Sequence, residues 1–160
     1  MYTYRITKYN PKNRNKNGIY LKDDWTDFSD IGKKINGKIF TLKQYLKVEN
    51  SYIQTILSFL SGNEILSMRV EKIQNFKKIK YRNKVVKKNQ VYKLADLKEL
   101  LKLVLRGLLW CKFKNKNGCY LDFGGDYYVY IGVLKESSES IIFAKKQKLF
   151  VEPYIEPALD

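Results

Sequence analysis

Leu97-Lys98-Glu99-Leu100-Leu101-Lys102-Leu103-Val104-Leu105-Arg106-Gly107-Leu108 runs directly into Leu109-Trp110-Cys111-Lys112-Phe113-Lys114, and then, after Asn115-Lys116-Asn117-Gly118-Cys119, into Tyr120-Leu121-Asp122-Phe123. The first part repeats its leucines and valine at the i, i+3, i+4, i+7, i+8, i+11 spacing of one helix face. The second part changes to strand character around Lys116-Asn117-Gly118, a hairpin turn signal. A helix feeding an antiparallel hairpin sets the class as α+β. The two cysteines flank this turn. A two-residue Asn117-Gly118 loop pairs Lys116 with Cys119, and a four-residue loop pairs Lys114 with Cys119. In both registers Cys111 points away from Cys119, so no disulfide is expected across the hairpin. Two free thiols fit a reducing cytoplasm.

Working outward, Tyr2 to Tyr9 alternates aromatic and β-branched residues and reads as a strand stopped by Asn10-Pro11. Lys12 to Gly18 reads as a loop, and Ile19 to Gly37 as an ordered irregular segment. Thr41 with Gln44 has the capping-box pattern and opens a helix to Leu60, with Gly62 placed as its C′ stop. Leu66 to Glu71 alternates as a second strand, and Lys84 to Tyr92 suggests an edge strand. The main helix spans about Ala95 to Leu108, weakened in its last turn by Gly107. After the hairpin, Tyr127 to Ile131 continues as a strand. Glu136 to Lys148 reads as a short third helix, and Leu149 to Tyr154 as extended. The expectation is one α+β domain over residues 1–160: an antiparallel sheet with two main helices and a shorter C-terminal helix on one face. A chain of this size exposes roughly 8,400 Å² when folded, enough to enclose one core.

Composition removes several function classes. There is no histidine among the 160 residues, which excludes Ser-His-Asp and Cys-His catalysis and imidazole metal sites. No apolar run approaches a membrane span, and the N-terminus lacks a signal-peptide core. The net charge is +15, from 31 basic and 16 acidic residues. Twenty-six of the basic residues are Lys and five are Arg, with 12 Asn, 14 Ile and three Ala, which is the signature of A+T-rich codons. Nucleic-acid readers favour Arg for its planar fork. Any binding to RNA or DNA is therefore expected to be weak, non-specific and salt-dependent. Nine basic residues and no acid lie between Lys72 and Lys93, with Phe76 and Tyr81 interleaved. This segment reads as a solvated loop or edge hairpin; its alternative is a track for a phosphate backbone.

Two further constellations stand out. Asp23, Asp24, Asp27 and Asp30 surround Trp25 and Phe28. Their spacing does not fit a calcium loop. The readings are local turn and cap chemistry, a protein interface, or a weak paired-carboxylate metal site of a hydrolase. In Phe123-Gly124-Gly125-Asp126-Tyr127-Tyr128-Val129-Tyr130-Ile131, alternation puts Tyr128 and Tyr130 on one face beside Asp126, and Tyr127, Val129 and Ile131 on the other. Gly124-Gly125 enters a strand, so it is not a phosphate loop.

Tyr4-Arg5-Ile6-Thr7-Lys8-Tyr9-Asn10-Pro11, Trp25-Thr26-Asp27-Phe28-Ser29-Asp30-Ile31-Gly32, Trp110-Cys111 and Phe123 to Tyr130, in that order, resemble a family of small bacterial cytoplasmic proteins that look like immunity proteins of polymorphic toxin systems. The resemblance runs from near residue 2 to near Tyr154. Asp122 and Gly125 stand where that pattern has His and Tyr, and this chain is basic where the pattern is more often acidic. A histidine-dependent role and a simple acidic decoy are thereby put in doubt. The resemblance implies a non-catalytic, cytoplasmic protein that binds one cognate toxin domain, without cofactor or metal. The residues expected to carry that contact are Trp25, Asp27, Asp30, Asp126, Tyr128 and Tyr130. A nucleic-acid-binding protein acting through Lys72 to Lys93 is the alternative.

Overall fold

The Gln44 amide donates to Thr41 Oγ1 at 3.2 Å, and the Thr41 amide donates to Gln44 Oε1 at 2.8 Å. This reciprocal cap opens the long helix of a computed structural model that describes residues 1–125 and 127–155. In chain order the elements are β1 (Tyr2–Thr7), single 3-10 turns at Pro11–Asn13 and Phe28–Asp30, β2 (Lys34–Ile35), β3 (Lys38–Ile39), α1 (Leu42–Gly62), β4 (Ser67–Gln74), β5 (Lys80–Tyr81), β6 (Lys84–Val85), β7 (Val91–Lys93), α2 (Leu94–Leu105), β8 (Trp110–Lys114), β9 (Tyr120–Phe123), β10 (Val129–Val133), α3 (Ser138–Lys146) and β11 (Phe150–Pro153).

Seven strands form one sheet in the order β11-β1-β10-β9-β8-β4-β7, with every neighbour antiparallel. Strand alternation separates its faces. Tyr4, Ile6, Val70, Cys111, Phe113, Leu121, Val129 and Ile131 are buried on one side, under α1, α2 and α3. The three helices share that side because each buries one apolar stripe, with α1 against both α2 and α3. The expected α+β architecture is the observed one. The edge strand is Val91–Lys93, which overlaps only the end of the anticipated Lys84–Tyr92 stretch; Lys84–Val85 pairs with Lys80–Tyr81 in a separate small sheet. The accessible surface, 10195 Å², exceeds the roughly 8,400 Å² expected for this mass; the segments 10–40 and 75–90 lie mostly on the outside, with Val86 the one buried residue among them.

Three local details differ from expectation. The helix α2 stops at Leu105, short of Leu108. Gly107 takes a φ of +67°, its amide donates to the Val104 carbonyl at 2.9 Å, and the Leu108 amide donates to the Leu103 carbonyl at 3.0 Å. That is a Schellman stop, and the glycine ends the helix rather than weakening it. An added Cβ would meet nothing within 4 Å. Gly107→Ala should therefore cost about 1 kcal/mol from the left-handed backbone alone, read as a fall in denaturation midpoint with an unchanged slope. In α1 the glycine is not the stop. Gly62 is the last helical residue, and Glu64, at φ +56°, takes the left-handed position. The strand β10 begins at Val129, because Tyr127 sits in the turn at φ +61°.

The hairpin register also differs. Phe113 pairs with Leu121 and Lys114 with Tyr120, which places Asn115 opposite Cys119. Asn115 Oδ1 accepts from the Asn117 and Cys119 amides, each at 2.9 Å, and Gly118 takes a φ of +88°. The loop thus has three residues, and Cys111 and Cys119 both face the core. Both are buried and free, and desolvation pushes the Cys111 thiol up to about 12.

Candidate functional site

The end of the sheet where β4, β8, β9 and β10 meet the C-terminus of α2 is overlaid by the chain after β1. This strap is tied down at several points. At its start, the Arg14 guanidinium grips Glu152 of β11 through Nη1 at 2.8 and 2.9 Å, and Arg5 of β1 binds the same carboxylate at 3.2 Å. Those two cations hold the Glu152 carboxyl below its ordinary range against the opposing effect of its burial. Further on, Trp25 packs on Tyr9 at 4.1 Å between ring centroids and on Tyr20 at 5.2 Å. The Lys8 ammonium donates to the Thr26 carbonyl at 2.6 Å and to Thr26 Oγ1 at 2.9 Å, and lies over the Tyr9 and Tyr127 rings.

Asp27 and Asp30 shape the turn at Phe28–Asp30. Asp27 caps it by accepting from the Ser29 amide at 2.6 Å, and Asp30 accepts from the Asp27 amide at 2.9 Å. Asp30 also pairs with Lys33 at 2.9 Å, which together with the Asp27 amide keeps its carboxyl below the usual range. Cap chemistry therefore accounts for these two carboxylates. Among the described residues no three His, Cys, Asp or Glu side chains converge as a metal site. Phe28 in turn lies under the Arg106 guanidinium, which is locked to the buried Glu49 of α1 by two bonds of 2.7 and 2.8 Å.

Between the strap and the sheet end lies a cleft of about 650 Å³. Trp25, Phe28, Trp110 and Phe123 give it apolar walls, Asp27 and Asp30 lie on the strap side, and the exposed Phe76 also lines it. Trp110 is pinned by its indole N–H, which donates to the Phe123 carbonyl at 2.7 Å. Tyr127 donates to the Leu105 carbonyl at 3.1 Å.

Of the six residues expected from the sequence, Trp25, Asp27, Asp30 and Tyr128 line this one cleft. Tyr128 is half-buried between the Arg5 and Arg14 guanidinia, each 5.4 Å from its ring. Tyr130 points elsewhere, onto the helix-free face of the sheet, where it packs on Tyr154 at 4.5 Å. Asp126 lies outside the described residues. Sequence reasoning missed Lys8, Arg14, Arg106 and Glu152. Only their partners mark them, and those partners are far away in the chain.

The Lys8 amine is pushed down to about 8 by burial, against the pull of Asp24, Asp27 and Asp30. Below that pH the fold carries the cost of a buried charge. As pH rises past 8 the folded state sheds the proton while the unfolded chain, at its ordinary 10.5, keeps it, so stability rises. Cys111 acts in the opposite sense from about pH 9, where the unfolded thiol ionises and the buried one does not. The buried Tyr52 hydroxyl, held above its ordinary range by desolvation, adds a further loss above pH 10. Unfolding free energy should accordingly rise by about 0.5–1 kcal/mol from pH 8 to 9 and then fall. Urea melts across that range check this, and Lys8→Met should flatten the rise.

No family model matches this chain, and neither does any curated protein or solved structure. Among the described residues no helix is long and apolar enough to cross a membrane.

Proposed function

We propose that the protein is an immunity-type binding protein that neutralises a cognate bacterial toxin domain by stoichiometric complex formation, with the strap cleft as the contact and no turnover of its own. The observation that carries this reading is convergence. Two sequence constellations about 100 residues apart, around Trp25 and around Tyr128, meet on one open cleft with aromatic walls. Half-buried Trp and Tyr supply contact area at small entropic cost. Asp23, Asp24 and Asp27 are exposed carboxylates on an otherwise basic chain of +15. They offer a local negative field suited to a Lys or Arg of the partner.

The test co-expresses the protein with the product of its neighbouring gene. Rescue of growth and a stoichiometric complex on gel filtration are expected. Asp27→Asn is the diagnostic variant, because Asn caps a turn as well as Asp but removes the charge. It should leave the melting temperature unchanged and weaken the complex. Trp25→Ala should cost about 2 kcal/mol of binding or more. If wild type gives neither rescue nor complex, the proposal fails. If Trp25→Ala unfolds the chain, Trp25 is structural and not a contact residue.

A further inference from the structure

The face of the sheet opposite the helices carries a charge pattern that the fold itself disfavours. Register places Lys72 of β4 opposite Lys112 of β8, and Arg69 opposite Lys114. Like charges directly across a ladder repel. Lys112 is offset by Asp122 at 3.3 Å and Lys114 by Glu71 at 3.7 Å. Glu152, at the far edge, is already shared by Arg5 and Arg14. Each of these three carboxylates is therefore engaged, while Arg69 and Lys72 are exposed and have no carboxylate within 4.0 Å among the described residues.

The same face carries an aromatic platform. Tyr130 and Tyr154 pack at 4.5 Å, and with Trp110 they line a shallow depression of about 280 Å³. All three residues are half-buried. A Cβ on Gly124 would come within 2.9 Å of the Tyr130 ring, so glycine there leaves the ring room to lie down on the sheet. Tyr130 sits opposite Asp122, Asp122 bonds Lys112, and Lys112 sits opposite Lys72. Tyr130 of the platform and Lys72 thus share one row, about 14 Å from end to end at the usual strand spacing, and Arg69 lies in the neighbouring row opposite Lys114.

We infer that this helix-free face binds single-stranded nucleic acid, its bases stacking on Tyr130, Tyr154 and Trp110 and its phosphates lying along Lys72 and Arg69. Rings set on a sheet surface reach only unstacked bases, and stacking tolerates any sequence. The surplus positive charge of the row complements a phosphate backbone. The inference does not rest on the cleft reading, although Trp110 lines both the cleft and this depression. It also replaces the Lys72–Lys93 segment as the nucleic-acid element, because residues 77–88 turn away into the small β5-β6 hairpin, where Arg82 pairs with Asp96 at 2.8 Å.

The test is fluorescence anisotropy of the full chain with a labelled short oligothymidylate, across a salt series. Wild type is expected to bind the single strand at least about fivefold more tightly than a duplex of equal length. Arg69→Ala with Lys72→Ala should lower the salt slope by about 1.4, some 0.7 per lost phosphate contact. Tyr130→Leu keeps apolar bulk and should weaken binding about fivefold or more with the slope unchanged. Lys145→Ala with Lys146→Ala on α3 is the control and should change neither quantity, as should Asp27→Asn at the cleft. Thermal melts establish that each variant is folded; Arg69→Gln with Lys72→Gln replaces the alanine pair, and Tyr154→Leu replaces Tyr130→Leu, where either fails to fold. Absence of binding overturns the inference. So does equal affinity for duplex, a control pair that weakens binding as much as Arg69 and Lys72 do, or capture of an acidic protein without capture of the oligonucleotide.

Discussion

Arg106→Ala is expected to destabilise the protein by about 3–5 kcal/mol. Glu49 of α1 is 3% exposed, and its carboxylate is held by both arms of the Arg106 guanidinium, at 2.7 and 2.8 Å. Removing the arginine strands a buried charge that water reaches poorly. The loss is also geometric. Arg106 is the C-cap residue of α2, just before the Gly107 stop, and it covers the Phe28 ring, so the pair joins both main helices to the strap. Against a typical total of about 5–15 kcal/mol, the loss is large. Urea denaturation measures it. Glu49→Leu combined with Arg106→Met should be far milder than either single change, since a buried pair replaced by apolar residues of similar volume is often neutral. A single-variant loss under about 1 kcal/mol would mean that Glu49 is hydrated through the cleft and the pair is not a dry one.

Leu101→Ala comes next, at about 2–5 kcal/mol. Leu101 is fully buried, 0% exposed, together with Leu97 and Leu100 on the same helix and Phe113 and Leu121 on the sheet beneath. The deletion leaves a cavity between two layers that are each braced by hydrogen bonds, so little collapse is available. The expected signature is a lower urea midpoint at unchanged slope. Leu103, two residues on and half-buried, should cost distinctly less when truncated. Equal losses at the two positions would contradict the packing described for α2.

The segments that were legible are those whose period is long and uninterrupted. For α2 apolar spacing marks the buried stripe. In α1 the spacing of Leu42, Tyr45, Leu46, Ile53, Ile56, Leu57 and Leu60 marks only part of it, because Leu42 and Leu46 are exposed and Tyr52 and Phe59 are buried. Thr41 with Gln44 marks a start that the structure realises atom by atom. Ends were less legible, because Gly107 and Glu64 stop their helices through backbone conformation that no hydrophobic pattern records. The hairpin shows how little separates two answers. A loop of three residues instead of two or four changes the pairing sum by one, and that moves Cys119 from the face opposite Cys111 to the same face. Alternation along a single strand was reliable by contrast. It put Val129 and Ile131 in the core and Tyr130 outside.

Residue order alone determined the class of fold, the helix stripes, the absence of histidine chemistry and the two clusters worth watching. Those properties are local or additive, set by neighbours within a few positions. Tertiary structure decided which clusters meet. It brought Trp25 and Tyr128 to one cleft through Tyr9, left Tyr130 outside that cleft against Tyr154, and joined Arg14 to Glu152 and Arg106 to Glu49. It also decided that cations spread through a basic chain stand opposite one another on adjacent strands. Such pairings depend on register and on contacts between residues far apart in sequence, where a shift of one position exchanges every side chain between the two faces of a strand.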